Sequence, residues 1–204
     1  MSENFRELGR VKLVQVQPDG LIIETPSGYF YDASRLVEVD SLYITPLGIE
    51  ATTHEGEHVL DIHHIDHPKK AYDNDDLVCI GFTSHYQEMR ARFGEHMVDG
   101  IAGENITIEY EQEVWLDDLG QQIAIENAVT GRMARLDVLN FAAPCAEFSY
   151  FAARSQDNQL PAAKLKETLQ FLGNGRRGFL LVLSENQEPA TVRSGDRVFV
   201  VGME

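Results

Sequence analysis

Short runs of alternating or β-branched residues recur along the chain, with turn signals between them. In the first third, residues 11–17, 21–25 and 36–44 are separated by Pro18-Asp19-Gly20 and Pro26-Ser27-Gly28, which reads as antiparallel strands and hairpins. Further strands are predicted at 59–63, 77–82, 105–110, 122–126, 132–139, 178–183 and 197–201, where apolar runs lie between glycines, acids and asparagines. Helical spacing appears over 84–93, where Ser84 and Gln87 have the separation of a capping box and Tyr86, Met89 and Phe93 recur on one face. A second helix is predicted over 161–172, with Pro161 in the first turn, Leu165, Leu169 and Leu172 on one stripe, and Gly173 as terminator. A third, shorter helix begins at Pro144 or Cys145 and turns Phe148 and Phe151 or Ala152 inward.

Many short strands, few helices and no regular alternation of strand with long helix exclude a Rossmann-like sheet and predict a mainly β domain, closed or sandwiched. A length of 204 residues suffices for one domain with its own core. No apolar run reaches the roughly 20 residues of a membrane helix, and residues 1–10 do not read as a signal peptide, so the expected location is cytoplasmic. The formal charge of −16 argues against nucleic acid and anionic membrane surfaces as partners, and leaves an anionic small molecule possible only where the few cations cluster. Cys79 and Cys145 are the only cysteines, far apart and unlike in setting, which fits neither a disulfide framework nor a paired-cysteine metal motif. Cys79 sits in the apolar run Leu77-Val78-Cys79-Ile80 and reads as a small buried hydrophobe.

Several motifs carry chemistry. A thiolate at Cys145, directly after Pro144 and opening a helix, would be stabilised by unpaired backbone N–H groups and would suit a thiophilic metal. Gly173-Asn174-Gly175-Arg176-Arg177-Gly178 is glycine-rich and basic, and offers N–H groups and guanidinium forks to an anion, although helix stop and turn explain its glycines equally well. His54, His58, His63, His64 and His67 lie among Glu55, Glu57, Asp61 and Asp66 without the spacing of a defined metal site, so the stretch reads first as solvated surface loop. Ser194-Gly195-Asp196 reads as a hairpin turn.

The order of these pieces matters more than any one of them. Gly103-Glu104-Asn105 leads into a strand, Pro144-Cys145 follows about forty residues later, then come Arg177-Gly178-Phe179 and Ser194-Gly195-Asp196-Arg197. In that order they resemble the MOSC domain, the module named after the C-terminal part of molybdenum cofactor sulfurases, over residues 44–201. The resemblance implies a closed β-barrel in a domain spanning 44–204, with residues 1–43 as an N-terminal β extension packed on it. It also implies that Cys145 is the catalytic thiol and metal ligand, and that Gly103, Glu104, Asn105 and Arg177 bind the cofactor, molybdopterin-bound molybdenum. Family members of this type carry sulfur, bind the cofactor, or reduce N-hydroxylated compounds with it. Within these residues there is no sulfur-mobilising domain and no ferredoxin-like cysteine set, so the resemblance implies a sulfur donor or electron-transfer protein as partner.

One departure stands out. Many members carry a cation next to the Pro-Cys pair, whereas here the stretch is Asn140-Phe141-Ala142-Ala143-Pro144-Cys145-Ala146-Glu147. Two other readings stay open at this stage: a non-catalytic small-ligand or assembly module with a degenerate site, and a cysteine hydrolase pairing Cys145 with one of the histidines.

Overall fold

The first strand of the chain pairs with the last, and that pairing closes a seven-stranded barrel. The computed structural model describes residues 3–26, 28–70, 77–155, 157 and 159–203. In chain order the strands begin with β1 (Glu3–Val16), β2 (Ile22–Thr25), β3 (Gly28–Tyr31), β4 (Val37–Glu38), β5 (Ser41–Thr45), β6 (Gly48–Thr52) and β7 (His58–Leu60). There follow β8 (Val78–Phe82), helix α1 (Thr83–Phe93), β9 (Ile106–Glu109), α2 (Leu116–Leu119), β10 (Gln122–Glu126) and β11 (Met133–Phe141). The chain continues through α3 (Ala146–Ala152), α4 (Ala162–Leu172), β12 (Phe179–Leu183), β13 (Ala190–Arg193) and β14 (Arg197–Met203). The fold is therefore mainly β with a closed barrel and a few short helices, as expected. No helix among the described residues is long and apolar enough to cross a membrane.

Around the barrel the order is β14-β10-β11-β12-β8-β9-β1 and back to β14. Only β8 and β9 run parallel, because α1 and the loop after it carry the chain back to the same end of the barrel. A second sheet, β13-β5-β6-β7, shares the barrel's core through Leu42, Ile44, Ile49 and Val192. The hairpin of β2 and β3 covers one end, where Tyr31 packs on Phe148 and Phe151. Helices α1, α3 and α4 gather a smaller core of Tyr86, Met89, Phe148, Ala152 and Leu172.

β1 explains why its length is hard to read from the pattern. Its register shifts between Glu7 and Gly9 and again between Val11 and Leu13, so the buried positions Leu8, Val11 and Val14 are three apart instead of two. Simple alternation therefore reveals only the stretch from residue 11, although the strand begins at Glu3. Gly9 sits at the first shift with φ +129, and a Cβ there would lie 2.2 Å from the Glu109 carbonyl oxygen. β1 is thus one of the seven barrel staves, and β5 runs unbroken across residue 43.

Other differences have local causes. The 36–44 run divides into β4 and β5, which belong to different sheets. The helix expected from residue 84 starts at Thr83, and the Ser84–Gln87 capping box does not form: Ser84 is buried, and Phe82 occupies the N-cap without a side-chain bond. Thr83 Oγ1 instead accepts from Tyr110 N and donates to Tyr110 O, both at 3.0 Å, fastening the helix to the end of β9. Pro161 stands at the N-cap of α4 and not inside its first turn, and Gly173 ends the helix. Ser194-Gly195-Asp196 does not close a hairpin, since β13 and β14 lie in different sheets; buried Asp196 instead accepts from Arg193 N and Ala128 N.

The bulge at Gly9 yields a stability prediction. Gly9→Ala forces either a strained backbone or a retreat of β9, at a cost of about 2–4 kcal/mol. Urea denaturation should show a lower midpoint with an unchanged slope; a midpoint equal to wild type would mean that β1 is not held against β9 at this point.

Candidate functional site

The site is built where β8 and β9 leave the barrel beside the loop of residues 61–70. Gly103 turns the chain with φ +98, and a Cβ there would press on Leu21 Cδ1 at 2.9 Å. The next residue to matter is Asn105, whose N–H donates to Cys79 O at 2.8 Å while its Oδ1 accepts from Cys79 N at 2.9 Å. Its Nδ2 donates to Asp61 Oδ2 at 2.8 Å. Asn105 therefore replaces one rung of the ladder between β8 and β9 and links it to the loop. Asp61 is fully buried and takes three further bonds, from Gln17 N at 2.9 Å, His63 N at 3.1 Å and His63 Nδ1 at 2.8 Å. Two glutamines hold the turn from below: Gln15 Nε2 donates to the carbonyls of Gly100 and Glu104, and Gln17 Nε2 to that of Gly103.

Glu104 points the other way. Its side chain is buried under Gly81 and Gly178, where a Cβ would come within 2.6 Å of Glu104 Oε1 and 2.8 Å of its Cγ, respectively. Tyr86 Oη donates to Oε2 at 2.5 Å, while Oε1 has no hydrogen-bond partner. Burial pushes the carboxyl up to about 7, against the opposing pull of the Tyr86 bond and the Arg177 charge. Burial also raises the Tyr86 phenol well above its ordinary value, so it stays a donor.

Cys145 is the N-cap of α3, and its Sγ accepts from Phe148 N at 3.4 Å. Arg177 arrives from the turn after α4. Its Nη1 donates to Cys145 Sγ at 3.5 Å and to Ala143 O at 3.0 Å, its Nη2 donates to Ala102 O at 3.3 Å, and the guanidinium lies 4.8 Å from the centre of the Phe148 ring. Arg177 Nε is buried without a partner. The cation absent from the sequence around Cys145 is thus supplied by a residue 32 positions later. Its neighbour Arg176 leaves in the opposite direction, to Glu88 at 2.5 Å and over the rings of Trp115 and Phe171. Left-handed backbone at Asn174 and Gly175 directs the two side chains apart.

These groups line a cavity of about 510 Å³. Cys145, Arg177, Gly103 and Asn105 all reach it, so four of the five residues singled out from sequence meet in space, and Glu104 stands behind the wall. Tyr31 and Ile22 from the hairpin, Leu180 from β12 and Cys79 from β8 complete the sides, so Cys79 is a wall residue and not purely a core one. Asp19 and Lys69 stand at the rim, paired at 2.8 Å. His63 also lines the cavity.

The histidine-rich stretch is therefore more than solvated surface. His63 joins the site, buried His64 anchors the loop against Gly48 and Glu50, and His58 and His54 pair on the surface with Glu50 and Asp40. Residues 71–76, expected in the same loop, lie outside the described residues. The weaker cation candidates go elsewhere: Arg135 forms a two-pronged pair with Glu3, and Arg132 is exposed away from the cavity. The family resemblance points to this stretch for a pocket residue without saying which; it is His63, held by Asp61. Their Asp-x-His spacing is visible, but nothing distinguishes it from the acids and histidines around it.

Three comparisons bear on this arrangement. The sequence model of the MOSC domain matches residues 67–199. No curated protein matches the sequence. Among solved structures, the YuaD protein from Bacillus subtilis superposes with a TM-score of 0.59 at 12% identity, over 100% of this chain and 99% of that one. A hypothetical protein gives 0.56 at 18% identity, over 98% and 73% of the two chains. YiiM from Escherichia coli gives 0.51 at 16%, over 96% and 70%. At such identities the likeness is one of fold.

The buried carboxyl of Glu104 makes stability depend on pH in a defined direction. Its folded value of about 7 lies above that of an unfolded glutamate, so its contribution is complete below about pH 4 and is lost as pH rises through 7. Glu104→Gln, always neutral, should gain on wild type by about 1–3 kcal/mol between pH 5 and pH 8 in paired urea titrations. A difference that stays constant with pH would mean Glu104 is ionised throughout.

Proposed function

The chain belongs to the MOSC domain family, and from that premise we propose that it handles sulfur or the molybdenum cofactor through the thiol of Cys145. The observation that carries this reading is the donation of Arg177 Nη1 to Cys145 Sγ at 3.5 Å in the wall of the cavity. The guanidinium gives the sulfur a charged hydrogen-bond donor, and the Phe148 N–H adds a second.

The residues present fit a pterin-bound metal. The volume of about 510 Å³ lies within the range of roughly 300–1,000 Å³ typical of small-molecule sites. Cys145 offers a soft sulfur suited to a thiophilic metal. Arg177 keeps a buried Nε–H unpartnered, a donor held in place for an acceptor. When bound, the cofactor supplies a redox-active, sulfur-binding metal centre. Cys145 would hold the metal, Arg177 would hold the anionic part, and the Gly103–Asn105 turn would shape the wall on which the pterin lies. Asn105 contributes by fixing that wall, since its own amide is fully engaged with Cys79 and Asp61. Glu104 contributes from beneath, filling the space between two glycines, and not as a contact.

Sulfur carriage uses the same groups. A persulfide on Cys145 would be flanked by Arg177 and sheltered by the hairpin, and a sulfur donor or electron-transfer protein would be the partner. The chain's charge of −16 directs that partnership to proteins and anionic small molecules gathered at the few inward cations, and not to nucleic acid or membrane surface.

Metal and pterin analysis of protein purified from a cofactor-competent host tests the reading, with Cys145→Ala beside it. Stoichiometric molybdenum in wild type, lost in the variant, is the expected result. Molybdenum absent from both would overturn cofactor binding; a persulfide on Cys145 detected by mass spectrometry after incubation with a sulfur donor would then leave sulfur carriage as the function.

A further inference from the structure

The cavity contains a second polar device that neither the thiol nor Arg177 accounts for. Asp61 is fully buried, accepts four hydrogen bonds and donates none, which is the pattern of an ionised carboxylate. Three of the four donors are uncharged and already fixed by the fold: the backbone N–H groups of Gln17 and His63 and the amide of Asn105. The fourth is His63 Nδ1. That contact settles the ring's chemistry, because a carboxylate acceptor requires the proton on Nδ1 and leaves Nε2 to face whatever occupies the cavity. Nε2 has no hydrogen-bond partner among the described residues.

The loop that carries this pair is held by backbone hydrogen bonds to the residue after β1 and to the β5–β6 turn. Ile62 N donates to Gln17 O at 2.7 Å, His64 N to Asp61 O at 2.8 Å and Ile65 N to Leu47 O at 2.7 Å. Asp66 N donates to the ring of buried His64 at 3.1 Å. A histidine on so rigid a support, one third exposed, is pre-organised.

We propose that the Asp61–His63 pair is the proton-exchanging arm of the cavity, with Nε2–H donating to an oxyanion of the ligand when the ring is charged and Nε2 accepting a ligand proton when it is neutral. His63 is the contacting residue and Asp61 the positioning residue. This deepens the reading of the site given above, resting on the cavity of Cys145 and Arg177, and adds the class of ligand: one that carries an oxyanion and exchanges a proton while bound. The other charged and titratable groups facing the ring are accounted for. Asp19 at the rim is paired with Lys69 and with Arg35, which also pairs with Asp32, Arg177 is engaged with Cys145 on a different wall, and Tyr31 and Cys79 present weak acids from the hairpin and β8. Tyr31 is held neutral by burial, which raises it far above its ordinary value.

Inorganic sulfate is a suitable probe, because its charge is constant while histidine titrates. Its binding to the full chain is measured by calorimetry from about pH 5 to pH 8, the range in which histidine changes charge. Wild type should lose about tenfold in affinity across that range. His63→Gln keeps three of the four bonds to Asp61 and should bind with weak affinity and no such slope. The same slope in His63→Gln, a flat wild-type profile, or no sulfate binding at the acid end would each overturn the proposal. Nitrogen NMR of the ring supplies a readout for Asp61 that mere packing would not move: at high pH the proton should reside on Nδ1, and a proton on Nε2 would overturn the orientation. Failure of the cofactor reading is distinguishable, since it would leave a pH-dependent sulfate site in a protein that retains no molybdenum, while Arg177→Gln would lower sulfate affinity at every pH.

Discussion

The hydrogen bond between the side chains of Asn105 and Asp61 is the constraint on which the site depends. It joins directly two structures that Gln17 also bridges, the parallel β8–β9 pair of the barrel and the loop that leaves the small sheet. Each partner would be costly alone: an unbonded buried amide, or a buried carboxylate short of a donor. Together they satisfy each other and leave Asp61 two oxygens shared among β1, the loop backbone and His63. The floor of the cavity, the direction of His63 and the position of Cys79 all follow from this one joint.

The cavity's electrostatics follow from a division of labour between neighbouring residues. Arg176 and Arg177 are adjacent in sequence, yet one is spent on Glu88 and an aromatic shelf while the other serves the thiol. Glu104 and Asn105 divide similarly, one a buried acid beneath the wall, the other completing it. In an acidic chain, such alternation keeps Arg177 and His63 facing the cavity while most acids face water.

How much of this could be read from the sequence depended on whether the signal was local. Strand positions β8 to β12 and β14 were visible because apolar runs and bounding glycines are local signals, and so was α4, with Pro161 and Gly173 at its ends; the short β13 was not read. The start of β1 was not, because its two register shifts break the period on which reading a strand relies. The meeting of Gly103, Asn105, Cys145 and Arg177 was legible only through the order of motifs, since no spacing along the chain implies that Arg177 reaches Cys145. Asp61 and His63 were hidden for a different reason. Burial is what makes them special, and a run of acids and histidines looks the same whether it is solvated or folded over a cavity.

The closure of the barrel by β1 and β14 also bears on how the molecule is made. Glu3 lies opposite Met203, so the pairing that completes the ring joins residues almost as far apart along the chain as the described segment allows. Among the described residues it carries the largest loop-closure cost of the strand pairings. Until β14 is in place, β1 and β10 present open edges to which a foreign strand could add.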